Sequence, residues 1–175
     1  QAITKADCCY LVEGYTDVIS MHQAGIENVV ASSGTALTHG QIRLIHRFTE
    51  YVTILYDGDA AGIKAALRGI DLLLEEGMKI KVVLLPDGED PDSFARKQNA
   101  ESLTKYVQEH EVDFIRFKTQ LLLDDAGNDP IKRATLISDI VSSIAVIPDN
   151  IIRSVYIKDC SILLNIDERI LIQEV

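Results

Sequence analysis

No apolar run in this sequence approaches the roughly 18 residues needed to cross a bilayer, so a membrane partner is not expected. Nor does a charged-then-apolar leader mark export. Cysteine is scarce: Cys8, Cys9 and Cys160 are an odd number and include no CxxC pair. Adjacent strand residues point to opposite faces, so Cys8 and Cys9 could not easily share a metal. The three read as incidental core thiols of a reduced, cytoplasmic protein. There is no glycine–lysine phosphate loop and no GxGxxG after the first strand, which leaves a P-loop or dinucleotide fold unsupported. A basic stripe, the usual mark of a nucleic-acid binder, is also missing. Against 17 Lys and Arg stand 27 Asp and Glu, a net charge of −10.

What is present is a chain of 175 residues, 47% hydrophobic, enough for one packed domain or a domain with an appendage. It begins at Gln1, and its last ten residues keep helical character, so we expect a piece of a longer protein. The acidity is unevenly spread. Residues 1–98 hold 14 acids and 9 bases, yet six of those acids (Glu13, Asp17, Asp57, Asp59, Asp90 and Asp92) are among the eight that fall in three short motifs. Without those six the segment would carry +1. Negative charge concentrated in this way is what a bound divalent cation would cancel.

Up to Pro86, short apolar runs alternate with helical periodicity. "CCYLVE" (8–13), "NVVAS" (28–32), "YVTILY" (51–56) and "KIKVVLL" (79–85) read as buried strands. Between them we expect a helix from about Tyr15 to Ala24, closed by Gly25. A second follows Thr38 and Gln41, which have capping-box spacing, and a long third helix ends at Gly77. Strands alternating with helices imply right-handed crossovers and a parallel sheet covered on both faces. The fold class is therefore α/β: a sheet of about four parallel strands over residues 1–98, followed by an all-helical subdomain over 99–175. In the second part, "AESLTKYVQEHEVDFIRFKTQLLL" reads as continuous helix, "DAGNDP" (125–130) as a break, and a further helix carries apolar residues at 131, 134, 137, 140, 141 and 144. Pro148 precedes another helix.

Ligands of open parallel sheets bind at the carboxyl ends of the strands. There the sequence places "EGYTD" after strand one, "DGD" after strand three and "PDGEDPD" after strand four. Each has a bland reading: Asp59 or Asp92 could cap a helix, and Asp-Gly pairs form turns. Taken together, carboxylates gathered at one sheet edge repel one another unless a cation binds between them, and all-oxygen ligands suit Mg²⁺ or Mn²⁺. Two such ions could serve phosphoryl transfer. Gly14, Gly58 and Gly62 allow tight turns beside such a site, or simply pack helices. The four histidines share no spacing with the acids. Arg43, Arg47, Lys64, Arg68, Arg96 and Lys97 read mostly as solvated helix faces.

These motifs carry a resemblance. A strand-end Glu before glycine, a DxD after a later strand and a further acidic loop resemble the Toprim domain of topoisomerases, primases and nucleases. "LVEGYTDVI", "ASSGTALT", "LYDGDAAGIKAA" and "LPDGEDPDSF" are more closely similar to DnaG-type bacterial primases, with strong motifs over residues 8–98. Residues 99–175 resemble the end of the RNA polymerase domain of such primases more loosely. The resemblance implies a DNA-templated RNA polymerase that makes short primers for replication. Its partners would be a single-stranded DNA template, ribonucleoside triphosphates and the RNA primer. It makes Glu13, Asp57 and Asp59 the central catalytic and metal-site acids, with Asp17, Asp90 and Asp92 completing the cluster. It also implies that the zinc-binding domain, the basic template-gripping lobe and the replicative-helicase contact lie outside this chain. This chain alone should therefore bind Mg²⁺ or Mn²⁺ but make little or no primer. The rivals are a Toprim topoisomerase or repair nuclease, an aspartyl-nucleophile phosphatase, whose DxDGT-like motif is not matched by Ala60 and Ala61, and a metal-stiffened scaffold.

Overall fold

The computed structural model describes residues 1–33, 37–57 and 67–175, the side chain of Arg68 excepted. They form two compact units, Gln1–Val112 and Asp113–Val175.

The first unit is built on a sheet of strand order β2-β1-β3-β4-β5. The strands are β1 (Cys9–Val12), β2 (Val29–Ala31), β3 (Tyr51–Tyr56), β4 (Lys79–Leu84) and the two-residue β5 (Val112–Asp113). β1 pairs with β2 and with β3, and β3 with β4, all in parallel. The five-strand sheet with flanking helices fits the α/β class read from the sequence. Its alternation is clear along β1. Tyr10 and Val12 join Met21, Leu55, Val83, Phe94, Leu103 and Val107 in one apolar cluster. Residues of the opposite parity, Cys9 and Leu11 with Val52, Ile54, Ile80 and Val82, are buried as well, so both faces are covered.

Helices α1 (Ala2–Ala6), α2 (Tyr15–Gln23), α3 (His39–His46), α4 (Asp71–Glu75), α5 (Pro91–Lys97) and α6 (Ala100–His110) complete this unit. Thr38 caps α3 and Gln41 returns the bond, the reciprocal box its spacing predicts. Gly25 ends α2 at φ +97°, and a Cβ there would sit 2.9 Å from the Ala100 side chain, so only glycine fits. Of the long helix expected over 60–77, residues 60–66 lie outside the described residues, and the remainder is not one continuous helix. Its described end is a 3₁₀ turn, Leu67–Gly69, followed by the short α4.

The second unit packs α7 (Phe114–Ala126), α8 (Pro130–Ala145), α9 (Asn150–Leu164) and α10 (Glu168–Glu174). The sequence expectation needs two corrections. Helix does not run unbroken from 100 to 123, because Asp113 accepts from the Ile115 and Arg116 N–H groups and starts α7 afresh. Of the apolar series 131, 134, 137, 140, 141 and 144, the last three are buried as expected and the first three are not. Steps of three drift about 60° each on a helix of 3.6 residues per turn. Leu136 joins Ile140, Val141 and Ile144 in the buried stripe, while Ile131 is 79% exposed. Among the described residues no helix is long and apolar enough to cross a membrane.

Candidate metal and phosphoryl-transfer site

Strand order and register fix the site. The chain runs from β1 outward to β2 and then returns to the other side of β1 for β3, so the direction of winding reverses between β1 and β3. In such sheets a crevice opens there, beyond the carboxyl ends of the strands. Leu11 lies opposite Ile54, so the same register carried on sets Glu13 opposite Tyr56, one residue before Asp57. On the far side Tyr56 pairs with Leu84, and the Leu85 N–H donates to the Tyr56 carbonyl at 3.1 Å, which brings the start of the acidic loop to the same level. Glu13 and Asp57 are both exposed. Burial, and secondarily the Glu13 charge, push the Tyr56 phenol well above its ordinary range, an electrostatic sign that Glu13 faces this strand end.

Asp17 is placed differently. It lies in the first turn of α2, buried, with Oδ2 accepting from the Gly14 N–H at 2.9 Å. A Cβ on Gly14 would come within 3.2 Å of that oxygen, so the close approach depends on glycine. Burial raises the carboxyl pKa of Asp17. The Gly14 and Asp92 N–H groups oppose that shift, and the Asp90 and Asp92 charges add to it. Asp17, Asp90 and Asp92 therefore feel one another although more than 70 residues separate them in sequence.

The loop after β4 ends in a cap. Asp90, not Asp92, is the N-cap of α5: it accepts from the Ser93 N–H at 2.6 Å, with Pro91 in the first helical position, where no N–H is required. Asp92 sits inside the first turn, where the Ser20 hydroxyl donates to it and Arg96 pairs with it at 2.9 Å. The Ser20–Asp92 bond joins α2 to α5, a link the sequence reading missed; nothing local signals a contact 72 residues apart. Glu89 is held by Lys97 and by the Ser93 hydroxyl, at 2.6 Å for the latter.

The sheet thus brings Glu13, Asp57 and the Asp17–Asp90–Asp92 group to the same end. Asp59 lies outside the described residues. Among the described residues no three of His, Cys, Asp and Glu close into a metal cage. The donor chemistry nonetheless fits a hard divalent cation, since every candidate is a carboxylate. Mg²⁺ characteristically uses one or two carboxylates and keeps water and substrate phosphates for its other positions. Arg43 is paired with Glu76 at 2.9 Å and Lys97 with Glu89, so neither stands as an unpartnered phosphate contact.

Known proteins match the chain over nearly its whole length. Residues 10–95 match a family model described as Toprim-like, and residues 115–169 match one described as the DnaB-helicase binding domain of primase. The second match overturns the expectation that any helicase-binding segment lies outside the chain. The DNA primase of Clostridium acetobutylicum is 42% identical over 159 residues, 89% of this chain and 26% of that protein. A DNA primase of Staphylococcus aureus is 30% identical over 175 residues, all of this chain and 29% of that protein. A DNA primase domain from Pseudomonas aeruginosa superimposes with a TM-score of 0.84 at 28% identity, covering 99% of this chain and 56% of that one. A DnaG catalytic core does so with 0.80 at 32% identity, over 93% and 54%. The chain therefore spans little more than a quarter of the curated relatives it matches.

Proposed function

The chain belongs to the family of DnaG-type bacterial primases, and from that membership we propose that it forms the metal-binding part of a primer-synthesising centre. The observation that carries this reading is the register of β1, β3 and β4, which sets Glu13, Asp57 and the acidic loop at one edge of the sheet beside the reversal point. In the reaction a 3′-hydroxyl oxygen forms a bond to the α-phosphorus of a ribonucleoside triphosphate, the bond to pyrophosphate breaks, and the hydroxyl proton departs. Glu13, Asp57 and Asp59 would hold Mg²⁺ or Mn²⁺, and Asp17, Asp90 and Asp92 would complete the negative field. Such an ion, when bound, neutralises phosphate charge and acidifies the attacking hydroxyl. Glu13, exposed at the strand end, is suited to accept the departing proton. Asp17 is held by the Gly14 N–H and orients the turn that follows Glu13.

In this reading single-stranded DNA is the template, and its grip comes from parts of the intact primase beyond this acidic section. A structural relative described as a DnaG primase catalytic domain bound to ssDNA supports that assignment. Residues 115–169 bring a second proposal, contact with a helicase of the DnaB kind. Ile151, Val155 and Ile162 form one exposed apolar stripe on α9 suited to it.

The test is incorporation of labelled ribonucleotide on a single-stranded template by the intact primase. Asp57→Ala and Glu13→Ala should each lower it by more than about 100-fold, beyond the loss usual for groups that merely support metal ligands. Circular dichroism should stay unchanged. Unimpaired synthesis in either variant would overturn the site assignment. Strand cleavage or relaxation in place of primer extension would favour the nuclease or topoisomerase reading.

A further inference from the structure

We propose that Tyr106 is a positioning residue for the acidic loop that follows β4, an inference that rests on reading Asp90 and Asp92 as part of the metal site. Tyr106 lies on α6, well outside the acidic motifs, and touches both ends of that loop. Its hydroxyl donates to the carbonyl of Leu84, the last residue of β4, at 3.2 Å. Its ring lies against Phe94, with centroids 4.8 Å apart and planes at 58°. Phe94 is buried one turn into α5, and its N–H donates to the Asp90 carbonyl at 2.9 Å. On its other side Tyr106 is backed by His110, stacked at 4.0 Å with planes 15° apart. His110 is in turn placed by a 2.8 Å contact between Nδ1 and the Tyr106 carbonyl.

One side chain therefore sets the separation between the strand that launches the loop and the helix that receives it. Within the loop a turn is closed by the Glu89 N–H on the Pro86 carbonyl at 2.9 Å, with Gly88 at φ +77°. Ser93 and Lys97 hold Glu89 and Asp90 at the α5 end, and the Tyr106 hydroxyl adds a tie at the β4 end. If Tyr106 served packing alone, a ring without the hydroxyl would do as well. The hydroxyl instead fixes a main-chain atom, and through it the point from which Asp87, Glu89, Asp90 and Asp92 are presented. Carboxylate ligands need such outer support to stay in place, because their affinity for a metal depends on geometry held by the groups behind them.

The test uses the 175-residue chain and Mn²⁺ alone, with bound ion read by electron paramagnetic resonance and backbone opening by amide hydrogen exchange. Tyr106→Phe keeps the ring and removes one hydrogen bond, so it should weaken Mn²⁺ binding about threefold. Tyr106→Leu removes both supports and should weaken it about tenfold, the lower end of the loss seen when groups behind metal ligands are removed. In both variants exchange should quicken over residues 85–93 and stay unchanged in β1 and β3. Wild-type affinity in Tyr106→Leu, or faster exchange spread evenly over the sheet, would overturn the proposal. Asp57→Ala separates the two levels. If it leaves Mn²⁺ binding intact, the metal site itself is wrong. If it abolishes binding while Tyr106→Leu binds Mn²⁺ as wild type does, only the role of Tyr106 is wrong.

Discussion

The two units use aspartate for opposite purposes. In the helical unit, four consecutive helices begin on an aspartate: Asp113, Asp129, Asp149 and Asp167 each accept from main-chain N–H groups of the turn they start. Those charges are satisfied within three residues, and they also suit the positive end of the helix dipole. In the sheet unit, Glu13 and Asp57 stand exposed where strands end, and the Asp17 pKa is raised by burial first and by the Asp90 and Asp92 charges after it. Net acidity alone therefore says little, since both halves of the sequence carry it. Position helps to separate a cap from a candidate ligand. Asp129, Asp149 and Asp167 follow helix or loop and Asp113 ends the two-residue β5, whereas Glu13 and Asp57 follow the central parallel strands β1 and β3. Asp90 belongs to both kinds, as the N-cap of α5 that follows closely on β4.

The same chemical change made in each unit should break the symmetry most sharply. Asp57→Asn in the intact primase should cost more than about 100-fold in primer synthesis with little change in stability. Asp129→Asn should leave both synthesis and unfolding midpoint near wild type, because Asn caps as well as Asp. Next in size is Asp113→Ala, followed by urea unfolding of the 175-residue chain. Asp113 caps α7 and also accepts from the Tyr156 hydroxyl at 2.6 Å, so its loss should cost about 2–3 kcal/mol. Asp149→Ala, which removes a cap alone, should cost about 1 kcal/mol. The smallest effect is on the two buried thiols, one in each unit. Burial pushes Cys9 up to about 12 and Cys160 up to about 11. A pKa raised in the folded state gives stability that is complete below the ordinary thiol range and lost as pH rises through the folded value. Each unit should therefore hold full stability to about pH 9 and weaken above it, with the loss ending near pH 11 in the helical unit and near pH 12 in the sheet unit. Alkylation followed by peptide mass spectrometry should find both cysteines inert at neutral pH, with the partly exposed Cys8 reacting before either.

The features legible in the sequence were those written locally. The four parallel strands, the Thr38–Gln41 box and the glycine stop of α2 each depend on residues a few positions apart. So does the placing of acids after strands, which needs only strand ends and the general rule for open sheets. The break before Phe114 was illegible, because neither glycine nor proline marks it and the tyrosine that helps hold Asp113 is 43 residues away. The cap of α5 was misread by two positions, although Asp90–Pro91 and Asp129–Pro130 share one device, a capping aspartate followed by proline at the first helical position. The Ser20–Asp92 bond and the Tyr106 brace join distant segments and leave no periodic trace. Asp59, central to the reading of "DGD", lies outside the described residues.

The parallel register also governs how sequences of this kind can change length. Glu13, Asp57 and the loop after Leu84 stand level only because three strands are counted off against one another residue by residue. Inserting a single residue within Cys9–Val12 would advance Glu13 by about 3.3 Å and turn it to the other side of the strand. Gains and losses of residues should therefore gather outside the strands, around residues 98–99 and 127–128. The strands leading to the acids should vary in spelling but keep their length.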